Sequence, residues 1–160
     1  MVQNQLSRYG AISRITPDLA PGAKLFIVSD SDDTTVGPMN IGAEFPADGE
    51  GFARVFTTIQ AAVNAAAAGR GDVIAVLPGY DHTLGRADTW ATAGVHVVGL
   101  GSGYAKPTIR YTGIGDRIDV AANNVTVKGL RFLAAADSVA MGIEFDTGFS
   151  GHVIKDNVFA

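Results

Sequence analysis

Phe56-Thr-Thr-Ile-Gln-Ala-Ala-Val-Asn-Ala-Ala-Ala-Ala-Gly-Arg-Gly-Asp-Val-Ile-Ala-Val-Leu-Pro-Gly79 is the stretch that decides the fold. Its first half is helical: Ile59, Ala62, Val63 and Ala66 fall on one apolar stripe. Thr57 followed by Gln60 is a capping-box pattern that predicts the helix start. Gly69 or Gly71 supplies a left-handed exit. The period then switches to that of a strand, Val73–Leu77, which stops at Pro78-Gly79. A short helix whose apolar face is mostly Ala and Val packs closely on something flat, and the open end of a β-helix would use that face well.

Downstream, short apolar segments follow one another: Val95–Leu100, Thr108–Tyr111, Ile118–Val120, Asn124–Phe132, Ile143–Phe145 and Gly151–Phe159. They repeat. Ile118-Asp119-Val120 matches Ile143-Glu144-Phe145 after 25 positions, and Val125–Lys128 with Phe132 matches His152–Lys155 with Phe159 after 27. Val95–Val97 with Gly99-Leu100 matches Val125–Val127 with Gly129-Leu130 after 30. A loose period carried by very short strands is a solenoid signature, with loops of variable length accounting for the unequal spacing. A β-sandwich would want two-residue Asn-Gly or Asp-Gly hairpin turns between strands. The chain has Asp48-Gly49 ahead of the helix and no such pair among the later strands. The expected fold is therefore mostly β: a right-handed parallel β-helix over residues 46–160 with an N-terminal capping α-helix. Residues 1–45 are expected to form an extended N-terminal arm with one short strand, Leu25–Val28, because Gly10, Pro17, Pro21 and Gly22 break any periodicity there.

Composition narrows the function classes. The chain has 160 residues, 47% hydrophobic and 18% charged, with 20 glycines and a net charge of −4. Scattered Lys and Arg argue against a nucleic-acid grip. The chain has no cysteine, which excludes disulfides and thiolate metal sites. No leader pattern opens it and no apolar run approaches a membrane span, so neither membrane nor secretion is expected.

The quoted helix-to-strand stretch, together with Asn124-Val-Thr-Val-Lys-Gly-Leu-Arg-Phe132, resembles the pectin-lyase-like superfamily of single-stranded right-handed β-helices. That superfamily includes polysaccharide lyases, hydrolases, phage tailspikes and non-enzymatic virion proteins. Gly22–Asp30, Phe45–Phe56 and Gly71–Gly79 resemble small β-helical structural proteins of tailed phages. The resemblance implies a capsid-surface decoration or fibre-like subunit, anchored through its arm to the major capsid protein or another virion protein. It also implies a homo-oligomer, assembled in the host cytoplasm and located in the virion. Two unsealed ends point the same way: an arm unable to fold alone, and a final coil strand reaching Phe159 without a polar cap.

The chemistry available is thin. Asp119 and Glu144 occupy equivalent outward positions in successive repeats, which stacked coils place roughly 5 Å apart. A retaining glycosidase separates its carboxyls by about that much. They are the catalytic candidates of the alternative reading, a carbohydrate-active tailspike or depolymerase. The plainer reading is a pair of solvent-facing charges relieved by Arg110 or Arg117, and Arg131, Lys155 and Asp156 have no spacing that demands a lyase role. His82 is expected in a turn after the first strand, His96 on an outer face, and His152 half-buried and hydrogen-bonded in the slot of Val125. No histidine pair has ligand spacing, so zinc is not expected. Asp30, Asp32 and Asp33 lack the glycine and distal glutamate of a calcium loop. Gly99–Gly103 is expected to turn a tight corner and not to cradle a phosphate. No cofactor or metal is expected. Trp90, Tyr80, Tyr104 and Tyr111 are expected on loops, where they would serve a third possibility, a glycan-binding adhesin.

Overall fold

A computed structural model describes residues 19–29, 54–137, 139 and 142–160. Thirteen short strands and one helix, α1 (Ile59–Ala65), make up the described regular structure, apart from a single 3-10 turn at Gly103–Ala105. The strands run β1 (Leu25–Val28), β2 (Val55–Phe56), β3 (Val73–Val76), β4 (Asp81–Leu84), β5 (Asp88–Trp90), β6 (His96–Gly99) and β7 (Thr108–Tyr111). They continue through β8 (Ile118–Val120), β9 (Thr126–Lys128), β10 (Arg131–Ala134), β11 (Ile143–Phe145), β12 (Val153–Lys155) and β13 (Val158–Phe159).

The strands form three sheets, ordered β12-β9-β6-β3-β1-β2, β13-β10-β7-β4 and β11-β8-β5. Every pairing is parallel, which removes the sandwich alternative. The first three coils contribute one strand to each sheet in turn, the fourth adds β12 and β13 to the first two sheets, and the coils stack into a β-solenoid whose first sheet is extended by β1 and β2. The registers reproduce the sequence repeats: Asp119 lies beside Glu144, Val127 beside Ile154, and Val97 beside Val127.

Inward positions build continuous apolar ladders, such as Ile74–Val97–Val127 in the first sheet and Ile109–Phe132 in the second. Strands β1 and β3 are buried on both faces. Leu25, Ile27, Val73 and Ala75 form a separate apolar cluster with Leu77 and Leu100 on the outside of the first sheet. Burial on both faces is why these two strands read as unbroken apolar runs.

The corners have a conformational cause. Gly71, Gly94, Asn124 and Gly151 sit at equivalent places just before the first sheet's strands, with φ of 77°, 73°, 58° and 78°. Four successive coils thus turn through a left-handed residue, a role open to Gly and, next best, Asn. Gly129 (φ 75°) and Asp156 (φ 57°) make the next corner in the third and fourth coils. Asn124–Phe132 and Gly151–Phe159, each anticipated as one strand, are accordingly split at those residues into strands of different sheets.

Helix α1 closes the first coil. Ile59, Ala62 and Val63 are buried as the periodicity requires, and the two larger side chains contribute about 1.5–3 kcal/mol each. The cap is one residue later than anticipated: Thr58, not Thr57, accepts from the Ala61 N–H. Gln60 is therefore not the capping partner. Its carboxamide instead donates to the Thr89 carbonyl (2.5 Å) and accepts from the Thr89 N–H (2.9 Å). It supplies the two bonds that a preceding strand would give the edge of β5. The helix ends at Ala66, three residues before Gly69, so neither Gly69 nor Gly71 is its exit.

Asp72 locks these parts together. It is fully buried in the slot that Val95 and Val125 fill in later coils, as the ladder His96 N–H to Asp72 carbonyl and Thr126 N–H to Val95 carbonyl requires. Its Oδ1 accepts from Lys24 N–H (2.8 Å) and Arg70 Nε (2.6 Å), and its Oδ2 from Ala67 N–H (2.8 Å) and an Arg70 terminal nitrogen (2.5 Å). Burial pushes this carboxyl up, but the Arg70 guanidinium and the two backbone donors outweigh it and hold the group below its ordinary value.

Candidate functional site

Asp119 and Glu144 are direct register partners on the outer face of the third sheet. Arg117 lies between them, its Nε 2.5 Å from Asp119 Oδ1 and 3.0 Å from Glu144 Oε2. Two carboxylates on one guanidinium are an electrostatically satisfied cluster, and hydrogen bonding to Asp119 pushes the Arg117 guanidinium up. Arg110 is engaged elsewhere: it makes a two-pronged pair with Asp81 at 2.6 Å on each prong, which holds the Asp81 carboxyl down. Arg131 and Val158 are register partners, while Lys155 and Asp156 flank the corner before β13. Lys106 Nζ donates to the Asp156 carbonyl at 2.7 Å.

The aromatic residues fall otherwise than expected. Trp90, Tyr80 and Tyr111 are buried in the core, and only Tyr104, in the 3-10 turn, stands fully exposed. Trp90 ends a three-residue strand with polar neighbours and Tyr80 immediately precedes β4, so alternation has too few positions to reveal them. Tyr111 donates to the Gly142 carbonyl (2.7 Å), and burial with Asp88 near by pushes its phenol up. The anticipated corner at Gly99–Gly103 is present, with φ of 124° at Gly101 and 55° at Gly103. Asp30, Asp32 and Asp33 lie outside the described residues. Among the described residues no group of three or more metal-ligating side chains forms.

Two of the three histidines, His82 and His152, need correction. His96 is half-buried in β6 between inward Val95 and Val97. His82 is in strand β4, not a turn, with its ring stacked on Tyr80 at 5.9 Å. His152 continues the Asp72–Val95–Val125 ladder and packs its ring 4.5 Å from Phe145, but neither ring nitrogen has a hydrogen-bond partner among the described residues.

Two places in the fold remain chemically unfinished. One is the fourth coil. Ile154 and Phe159 take inward ladder positions above Val127 and Phe132, yet they are 43% and 60% exposed. Phe159 stacks on Phe132 at 5.0 Å, and an apolar hollow of about 160 Å³ opens between them, Tyr111 and Val139. The other is a polar cleft of about 520 Å³ where α1 meets the β4–β5 turn, lined among others by Asn64, His82, Arg86 and Asp88. Burial pushes the Asp88 carboxyl up, against the weaker pull of His82 and Arg86. Polar residues in short strands gave no signal of this cleft in the sequence.

No family model matches the chain, and neither the curated proteins nor the solved structures yielded a match.

Proposed function

We propose that this chain is a structural building block of a virion: a β-helix of the pectin-lyase-like kind, set on the capsid surface of a tailed phage as a decoration or fibre-like subunit. The observation that carries the reading is the exposed apolar surface of Val153, Ile154, Val158 and Phe159. Neighbouring exposed apolar side chains mark an association surface, and in this reading a neighbouring subunit covers it. Virion and capsid partners, like the anchoring role of residues 1–45, follow from the resemblance described above. Arg117 between Asp119 and Glu144 supports a structural role, because its guanidinium offsets both charges.

Sedimentation of the purified 160-residue protein tests the association surface. Oligomers that dissociate in Phe159→Asp support the reading, and a monomer at all concentrations refutes it. Co-sedimentation with phage capsids tests the location: deletion of residues 1–24 should abolish it, and unaltered binding would end the anchor idea.

One observation favours a second reading, a carbohydrate-active tailspike or depolymerase, namely the direct register of Asp119 and Glu144. It requires cleavage of bacterial polysaccharide that Glu144→Ala abolishes.

A further inference from the structure

The first coil departs from the later ones at two inward positions. In the second sheet, His82 holds the slot that Ile109 and Phe132 fill above it. In the third sheet, Asp88 holds the slot of Ile118 and Ile143. Elsewhere these ladders are apolar, since an inward polar group unmatched by a partner costs free energy. Helix α1 packs over β1, β2, β3 and β5, and its Asn64 shares a cleft with His82 of β4. This is the cleft of about 520 Å³. Its volume is in the range of small-molecule sites.

The charges in the cleft are graded by depth. Asp88 is half-buried, and its carboxylate makes no hydrogen bond or ion pair among the described residues. Arg86, two residues away, is exposed at the rim and is likewise unpaired among the described residues. Asn64, on the helix, brings an amide with both a donor and an acceptor. Gln60 and Thr89 satisfy each other and so frame the cleft without competing for a ligand.

A lone anion would face Asp88, and a lone cation would face Arg86. A metal ion would want more carboxylate or imidazole ligands than the cleft brings together. A neutral polyol would meet both charged groups with neutral partners only, whereas a molecule with both charges makes two charge-assisted contacts, which are about twice as strong. We propose that this cleft binds a small zwitterion of the α-amino-acid class, its ammonium seated inward on Asp88 and its carboxylate outward on Arg86. His82 and Asn64 line the side-chain space. The site lies at the opposite end of the solenoid from the fourth coil, so its occupancy is independent of the assembly proposed above.

Calorimetric titration of the full chain at neutral pH with each standard free L-amino acid tests this. For the best binder, the N-acetyl derivative and the methyl ester are titrated alongside, with glucose as the neutral polyol. Binding by at least one amino acid is expected, weakened about tenfold or more by either blocking group, a difference of about 1.4 kcal/mol. Asp88→Asn should abolish the penalty for N-acetylation, and Arg86→Gln the penalty for esterification. Arg86 is exposed, so its variant keeps the fold, and circular dichroism checks the Asp88 variant. Absence of binding by every amino acid overturns the proposal. So does glucose binding as tightly as the best amino acid, or affinities unchanged in the folded Arg86→Gln protein.

Discussion

Replacing Asp72 by Asn tests whether the solenoid's start depends on one buried carboxylate. Asp72 accepts four hydrogen bonds, two on each oxygen, from Lys24, Ala67 and Arg70. The amide keeps a single acceptor oxygen, and its NH2 faces two donors. Each bond to a charged group is worth about 1.5–3 kcal/mol, and breaking one partner of a buried pair costs about 3–5 kcal/mol. We expect a loss of about 3–5 kcal/mol, a large part of the roughly 5–15 kcal/mol that stabilises a domain. Urea unfolding followed by circular dichroism measures it, and amide exchange at Lys24 and Ala67 localises it. The folded carboxyl lies below its ordinary value of 3.8, so its stabilisation is complete above the unfolded pKa. It disappears as pH falls through the lower folded value. The gap between wild type and Asp72→Asn should therefore be constant at neutral pH and close in strong acid. A loss under about 1 kcal/mol at neutral pH, or a gap that ignores acid, would refute the clamp.

Three further expectations concern corners and edges. Gly129→Ala must hold φ near 75° with a Cβ overlapping the Gly99 carbonyl, and should cost about 2 kcal/mol or more by chemical denaturation. Gln60→Ala uncaps the edge of β5; it should cost about 1 kcal/mol and accelerate amide exchange at Thr89. Arg117→Ala removes an exposed guanidinium from two carboxylates; the melting temperature should fall only slightly, and the difference should shrink further in high salt, as paired thermal melts would show.

Legibility varied along the chain with the length of the apolar signal. Val73–Val76, with four apolar residues in a row, was readable as a strand, and so was the stripe of α1. Asp81–Leu84 and Asp88–Trp90 were not, because each shows outward polar residues and too few positions for alternation to register. The anticipated loop aromatics failed for the same reason: Trp90 and Tyr80 look isolated in sequence and are core residues in space. Asp119 and Glu144 were paired correctly from the repeat, but the repeat carries no information about how Arg117 divides itself between them.

What the sequence determined by itself was the stacking. Repeats of 25, 27 and 30 residues, a helix ahead of the first strand and glycines at the turns are local, and local pattern is sufficient to specify a coil and its register. What only the tertiary structure decided was the fate of the side chains at the ends of each ladder. A residue in the middle of the solenoid has the coils above and below it as its environment, and the repeat announces that environment. Asp72 and Asp88 in the first coil, and His152 and Phe159 in the fourth, have a described coil on one side only. Their surroundings come from Arg70, from α1 or from solvent, and no period predicts those. For that reason the clamp, the cleft and the exposed apolar face became visible only when the coils were stacked.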